Sequence, residues 1–211
     1  MLFELRTDTL WPGKAAEFVD LSGSLGVPIR GEKYGRLEGF WTVDIGPQHT
    51  IVHLWSHADF SARQDARALM AQDEDWLTKY MPRIELLMQR QEIRLMSPVC
   101  PFESQTEEGG VYELRRTVTR PFAVTDWTDI LIASLPNLKR HMSFVGCWST
   151  IAGRPNEIYT LWRHANEAAS RKAWAEPECA AANTEMDALV FEEDNAILTP
   201  VSFSPLGQSP K

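Results

Sequence analysis

Hydrophobic and polar residues alternate in short runs along this chain, and helix-spaced apolar stretches separate the runs. Residues 2–7 alternate, so Phe3 and Leu5 fall on one face of a strand and Leu2, Glu4 and Arg6 on the other. Pro12-Gly13 then opens a stretch in which Ala15, Phe18, Val19 and Leu21 recur at helical spacing. Residues 37–45 and 50–57 are rich in β-branched and aromatic types and flank Gly46-Pro47-Gln48-His49, which predicts a hairpin. Asp59 is placed to cap a second helix presenting Ala62, Ala66, Leu69 and Met70, and a last strand is expected over about 83–96. The order is strand, helix, strand, strand, helix, strand.

The pattern then repeats. Leu2-Phe3-Glu4-Leu5-Arg6 returns 109 residues later as Val111-Tyr112-Glu113-Leu114-Arg115, and Leu54-Trp55-Ser56-His57 returns at a spacing of 107 as Leu161-Trp162-Arg163-His164. Gly39-Phe40-Trp41 maps at the same 107 onto Gly146-Cys147-Trp148, Asn166 stands where Asp59 stood, and a final strand is expected over about 189–199. Three matches in one order argue for duplication of a domain-sized unit. The expected division is residues 1–98 and 110–205 as two domains, a Pro-, Gly- and Glu-containing linker over 99–109 that includes Ser104 and Glu107-Glu108, and a tail over 206–211. A β-α-β-β-α-β unit predicts an α+β fold of the ferredoxin-like kind, a four-stranded antiparallel sheet with both helices on one face. Its open face needs cover. Tandem units can cover each other, so the expectation is an intrachain pseudo-dimeric α/β barrel enclosing a cavity.

Charge narrows the partners. The 211 residues hold 29 Asp/Glu against 21 Lys/Arg, a net −8 shared evenly between residues 1–105 and 106–211. Without clustered basic residues the chain is a poor match for a phosphate backbone, so nucleic acid is not expected. No apolar run reaches the roughly 18 residues of a membrane span, and the first strand starts at Leu2, so neither membrane insertion nor export is expected and the cytoplasm is the expected setting. Cys100, Cys147 and Cys179 lack metal-ligand spacing and read as free thiols. Five histidines with no close His/Cys pairing give no metal signature, and nothing selects a haem ligand, so no cofactor is expected.

The ordered set Phe3-Glu4-Leu5-Arg6, Gly39-Phe40-Trp41 with Gly46-Pro47, His53-Leu54-Trp55, Arg63 with Arg67, and Asp73-Glu74-Asp75-Trp76 resembles the NIPSNAP family of the dimeric α/β-barrel superfamily. The second half carries Tyr112-Glu113-Leu114-Arg115, Gly153-Arg154-Pro155-Asn156, Leu161-Trp162 and the ending Ile197 to Pro205 in the same order, but Glu176-Pro177-Glu178-Cys179 replaces the acidic-Trp pattern. The resemblance implies the barrel fold. It assigns no activity.

Strand parity supplies the candidate chemistry. If Phe3/Leu5 and Tyr112/Leu114 pack beneath the helices, then Glu4, Arg6, Glu113 and Arg115 face the opposite sheet, joined by His53, Trp55, His57, Trp162 and His164. Buried Glu-Arg pairs could equally form an ionic lock with no ligand. The leading expectation is a small hydrophobic or aromatic molecule held between the sheets by Glu4, Arg6, His53, Glu113 and Arg115, with Trp55 and Trp162 as walls and His53, Glu4 or Glu113 as acid/base candidates. The competing expectation is a non-catalytic scaffold whose barrel is filled by side chains. Arg63, Arg67 and Arg171 read as solvated or i,i+4 partners. Homo-oligomerisation stays open.

Overall fold

The computed structural model describes residues 1–103 and 109–207; Ser104 and Glu107-Glu108 of the expected linker, and residues 208–211 of the expected tail, lie outside them. The first half runs β1 (Leu2–Leu10), α1 (Ala15–Leu21), α2 (Val27–Arg30), β2 (Arg36–Ile45), β3 (Thr50–His57), α3 (Phe60–Met70), α4 (Met81–Ile84) and β4 (Met88–Pro98). The second runs β5 (Val111–Thr119), α5 (Val124–Leu138), β6 (Ser143–Ala152), β7 (Glu157–His164), α6 (Glu167–Ala175), α7 (Pro177–Asp187) and β8 (Val190–Pro200). The eight strands form one closed antiparallel barrel in the order β1-β3-β2-β8-β5-β7-β6-β4, which makes this a mixed α/β fold.

Two seams close the barrel, and they are copies of each other. At one, Trp41 of β2 pairs with Pro200 of β8; at the other, Trp148 of β6 pairs with Pro98 of β4. Inside each half the registers also match, with Glu4 opposite Trp55 and Arg6 opposite His53 in one, and Glu113 opposite Trp162 and Arg115 opposite Thr160 in the other. The Gly-x-Trp repeat has a steric cause. A Cβ on Gly39 would lie 2.0 Å from Cη2 of Trp41, and one on Gly146 would lie 2.5 Å from Cη2 of Trp148, so each indole folds back over a glycine at the bulge that precedes it.

The local signals mostly hold. Asp59 accepts the backbone N–H of Ala62 at 2.8 Å and Asn166 that of Ala169 at 2.9 Å. The hairpin turns match too, with His49 and Asn156 both at positive φ (54° and 61°). Leu69, expected on the buried face of α3, is exposed, whereas Ala66 and Met70 are buried. The strand expected from 83 starts at Met88, because Pro82 sits at the first turn of α4 and Ile84 and Leu87 bury at i,i+3 spacing in a helical turn. Leu206, in the expected tail, packs into the barrel core.

The face assignment is corrected by the barrel. Phe3, Leu5, Tyr112 and Leu114 point inward, where they meet Trp41, Val52, Leu54, Met96, Trp148, Tyr159, Leu161 and Leu198 in one core shared by both halves. Glu4, Arg6, Glu113 and Arg115 therefore point outward, beneath the helices. Closure on eight strands leaves an interior that side chains fill, and the residual space among these residues is about 10 Å³. Among the described residues the expected cavity between the sheets is absent; the helix-covered outer faces carry the polar groups instead.

Candidate functional site

Under the helices of the first half lies a cavity of about 160 Å³. The sheet supplies its floor through Arg6, Phe40, His53 and Trp55, and the helical layer supplies the roof through Phe18, Arg30, Arg67, Trp76 and Tyr80. Two π-helical turns flank it, Ser22–Gly26 and Trp76–Tyr80, and the Ser22 and Tyr80 hydroxyls join them at 3.0 Å. Such turns widen a helix locally and often mark functional sites. Gly26 is required at this point, since a Cβ there would lie 2.8 Å from the Tyr80 ring.

The polar groups of the floor are tightly partnered in part. Glu4, 1% exposed, is bridged by Arg6 on one oxygen and Arg63 on the other. Burial alone would raise its pKa, but the two guanidiniums outweigh burial and hold it down at about 2. Trp55 Nε1 donates to Nδ1 of His53 at 2.6 Å, so the ring proton sits on Nε2, which donates to Asp8 at 2.9 Å. Burial lowers the His53 pKa despite Asp8, and the ring is neutral with both nitrogens engaged. Gln91 donates to the other Asp8 oxygen at 2.7 Å.

The cations are less well served. Arg6 has its Nη2 buried without a hydrogen-bond partner. Arg30, 5% exposed, donates from Nη2 to the Tyr34 carbonyl at 2.7 Å and lies 3.6 Å above the Trp55 ring, while its Nε has no partner. Burial, reinforced by the nearby Arg6 charge, depresses the Arg30 pKa to about 9. Arg67 is half-buried at the cavity, its pKa also lowered by burial and by Arg6.

The second half builds the same frame and fills it. Trp162 Nε1 donates to Thr160, as Trp55 does to His53. Glu113 accepts on one oxygen from His164 (3.1 Å), Ser170 (2.7 Å) and Trp174 (2.8 Å), and Arg115 Nε stands 3.9 Å from the other. Burial raises its pKa and these donors more than reverse that. At the 107 spacing Ser170 and Trp174 occupy the positions of Arg63 and Arg67, and Trp174 packs edge-on against Trp162 at 5.5 Å. Between Trp162 and Trp174 the space left is about 10 Å³, and on the outer side of Trp174 a broad groove of about 600 Å³ runs past Glu113, Arg115 and Asn183.

The sequence-predicted residues thus divide between two places. Glu4, Arg6, His53 and Trp55 come together at the first-half cavity; Glu113, Arg115 and Trp162 come together beneath the second-half helices, and neither group faces the other sheet. His57 is buried beside Gly35 and its Nε2 has no partner, because Arg63 takes the oxygen of Glu4 that His164 finds on Glu113. Sequence reasoning missed Arg30, Arg63 and Arg67. Arg171 does form the expected i,i+4 pair, with Glu167 at 2.9 Å, but Arg63 instead reaches 59 residues back to Glu4. Comparing the copies position by position would have flagged the change from Arg67 to Trp174. No group of three or more His, Cys, Asp or Glu placed to hold a metal ion occurs among the described residues. No described helix is long and apolar enough to cross a membrane.

Comparison with known proteins bears on the family and the fold. The chain is 29% identical to human NipSnap homolog 3A over 216 residues, spanning 98% of this chain and 86% of the relative, and 28% identical to mouse NipSnap homolog 3B over 214 residues, spanning 97% and 85%. In fold it is similar to a monooxygenase-like protein from Lactobacillus acidophilus (TM-score 0.70, 15% identity, 94% of this chain and 93% of that one) and to an anthrone oxidase-like protein (TM-score 0.69, 12% identity, 100% and 96%). The NIPSNAP family model matches residues 3–101 and again 112–205, so that both copies of the duplicated pattern are recognised, and the chain belongs to the NIPSNAP family.

Proposed function

We propose that this protein binds a small aromatic or otherwise hydrophobic molecule, and that it does so beneath the helices of its first half. The observation that carries the proposal is the 160 Å³ cavity walled by Phe18, Phe40, Trp55, Trp76 and Tyr80, with polar groups at its floor. An apolar cavity of roughly 150 Å³ admits benzene, so the space suits a ligand of about one ring. Acid/base turnover at His53 or Glu4 gains no support, since one ring has both nitrogens engaged and the other group is held ionised between two guanidiniums. We further read the two halves as copies of a ferredoxin-like unit, residues 1–98 and 110–205, on the strength of their common strand order and register.

A scaffold without a ligand is the second reading, and the filled barrel interior favours it. One experiment separates the two. Single-ring compounds, charged and neutral, are titrated against the full chain while tryptophan fluorescence and thermal stability are followed; saturable binding is expected, and Val27→Trp, which extends a wall residue into the cavity, removes it. If nothing binds saturably, or if binding survives Val27→Trp, the scaffold reading replaces the first.

A further inference from the structure

We infer that the first-half cavity takes a small organic anion, a carboxylate or a phosphonate or phosphate ester of like size, carried on an apolar body of about one ring. The inference rests on the binding reading above and specifies the ligand's charge.

Three guanidiniums, Arg6, Arg30 and Arg67, line the cavity, and no carboxylate does. The two nearby acids are already committed: Glu4 to Arg6 and Arg63, Asp8 to His53 and Gln91. What remains is donor capacity without an acceptor. Arg6, 6% exposed, keeps an unpaired Nη2, Arg30 keeps an unpaired Nε, and Arg67 has no ion pair among the described residues. Buried cations are tolerated when paired and hydrogen-bonded, and a planar guanidinium fork matches the oxygens of a carboxylate or phosphonate. The depressed pKa of Arg30, caused by burial and by Arg6, reflects the same lack of counter-charge.

The second half serves as an internal control. Strand pairing sets Gln91 opposite Asp8 in one copy and Glu193 opposite Thr117 in the other, so Glu193 stands where Gln91 stands. Glu193 pairs with Arg115 at 2.8 Å, and Asn183 accepts from the same Nη2 at 2.9 Å. Arg67 has become Trp174, whose ring lies 4.2 Å from the Arg115 guanidinium and fills the space. One scaffold therefore exists in two forms. Arg115 has a second carboxylate in Glu193, and Trp174 shrinks the space beneath it to about 10 Å³, leaving a broad groove on its outer side; Arg6 shares Glu4 with Arg63, has no second carboxylate among the described residues, and lines a cavity of about 160 Å³.

The test is calorimetric titration of the full chain at pH 7 and low salt with benzoate, phenylphosphonate and the neutral analogue benzamide. At least one anion is expected to bind about tenfold tighter than benzamide, a factor of the size one good charge-assisted contact supplies, and which anion wins distinguishes carboxylate from phosphonate. Arg67→Gln, on a half-buried helix position that makes no ion pair, should bring the ratio of anion to benzamide affinity near one; Arg6→Gln should do the same, with circular dichroism confirming that each variant is folded. Benzamide binding as tightly as both anions would overturn the inference and leave the cavity reading standing. Binding by none of the three would sink both, and an anion preference that persists in both variants would remove the arginines from the account.

Discussion

Replacing Glu4 by Gln tests whether the buried ion cluster holds the first half together. Glu4 is 1% exposed and each of its oxygens meets a different guanidinium, so the substitution leaves Arg6 and Arg63 facing a neutral amide. Its pKa falls from 4.5 to about 2, and at 1.36 kcal/mol per unit the ionised form contributes about 3 kcal/mol. Breaking a buried pair costs a similar ~3–5 kcal/mol. The sign with pH follows. A carboxyl whose folded pKa is depressed adds stability that is complete above its unfolded value near 4.5 and vanishes as pH falls through about 2. Urea unfolding followed by tryptophan fluorescence should therefore give a wild-type advantage of about 3 kcal/mol at pH 7 and pH 5, shrinking steadily from pH 4 to pH 3. Glu113→Gln should lose less, about 1–2 kcal/mol, because its hydrogen bonds come from His164, Ser170 and Trp174 on one oxygen and the amide keeps an acceptor. A Glu4→Gln penalty under about 1 kcal/mol at pH 7, or one unchanged at pH 3, would refute the electrostatic account.

Two further outcomes are expected. Gly39→Ala and Gly146→Ala should each lower stability by about 2 kcal/mol, or roughly 4–8 °C in Tm, because the indoles against which the new Cβ would press are 1% exposed and have nowhere to go; a change under 1 °C in calorimetry would mean that the Gly-x-Trp packing is misread. Cys100, Cys147 and Cys179 are buried thiols whose pKa values burial raises, so none should react with a disulfide reagent within minutes in native buffer and all three should react in urea. Rapid modification of Cys147 in the native protein would contradict its complete burial.

Much of this architecture was legible because its signals are local or repeated. Asp59 and Asn166 cap helices through their own side chains, the two hairpin turns share a left-handed residue, and the strand pairs carry a period-two pattern that needs no partner to be read. Parity divided β1 correctly into Phe3/Leu5 and Glu4/Arg6. It could not say which set faced inward. Either set could be buried, and only closure of the ladder through the Trp41–Pro200 and Trp148–Pro98 seams makes the Phe3/Leu5 side the interior. Arg63 was unreadable for a related reason: at helix spacing it resembles a solvated arginine, and its carboxylate partner lies on a strand 59 residues away. Arg30 gives no local sign at all, since its burial depends on Trp55 and Tyr34 closing over it.

Closure also explains why the two copies could diverge where they did. The barrel interior is common property: Phe3 packs on Trp148 and Trp41 on Tyr112, so a change in one half is felt by the other, and the aromatic set recurs in both. The cavity beneath the first-half helices is lined by residues of that half alone. There His53 can become Thr160, Arg63 become Ser170 and Arg67 become Trp174 without disturbing the seams, because each of these side chains lies outside the shared barrel core. A ligand site in a duplicated barrel is thus expected on the outer face, where the copies differ, rather than in the core, where they must agree. The cationic cavity of the first half, and its counterpart in the second where Trp174 fills the inner space and Glu193 pairs with Arg115, follow that division.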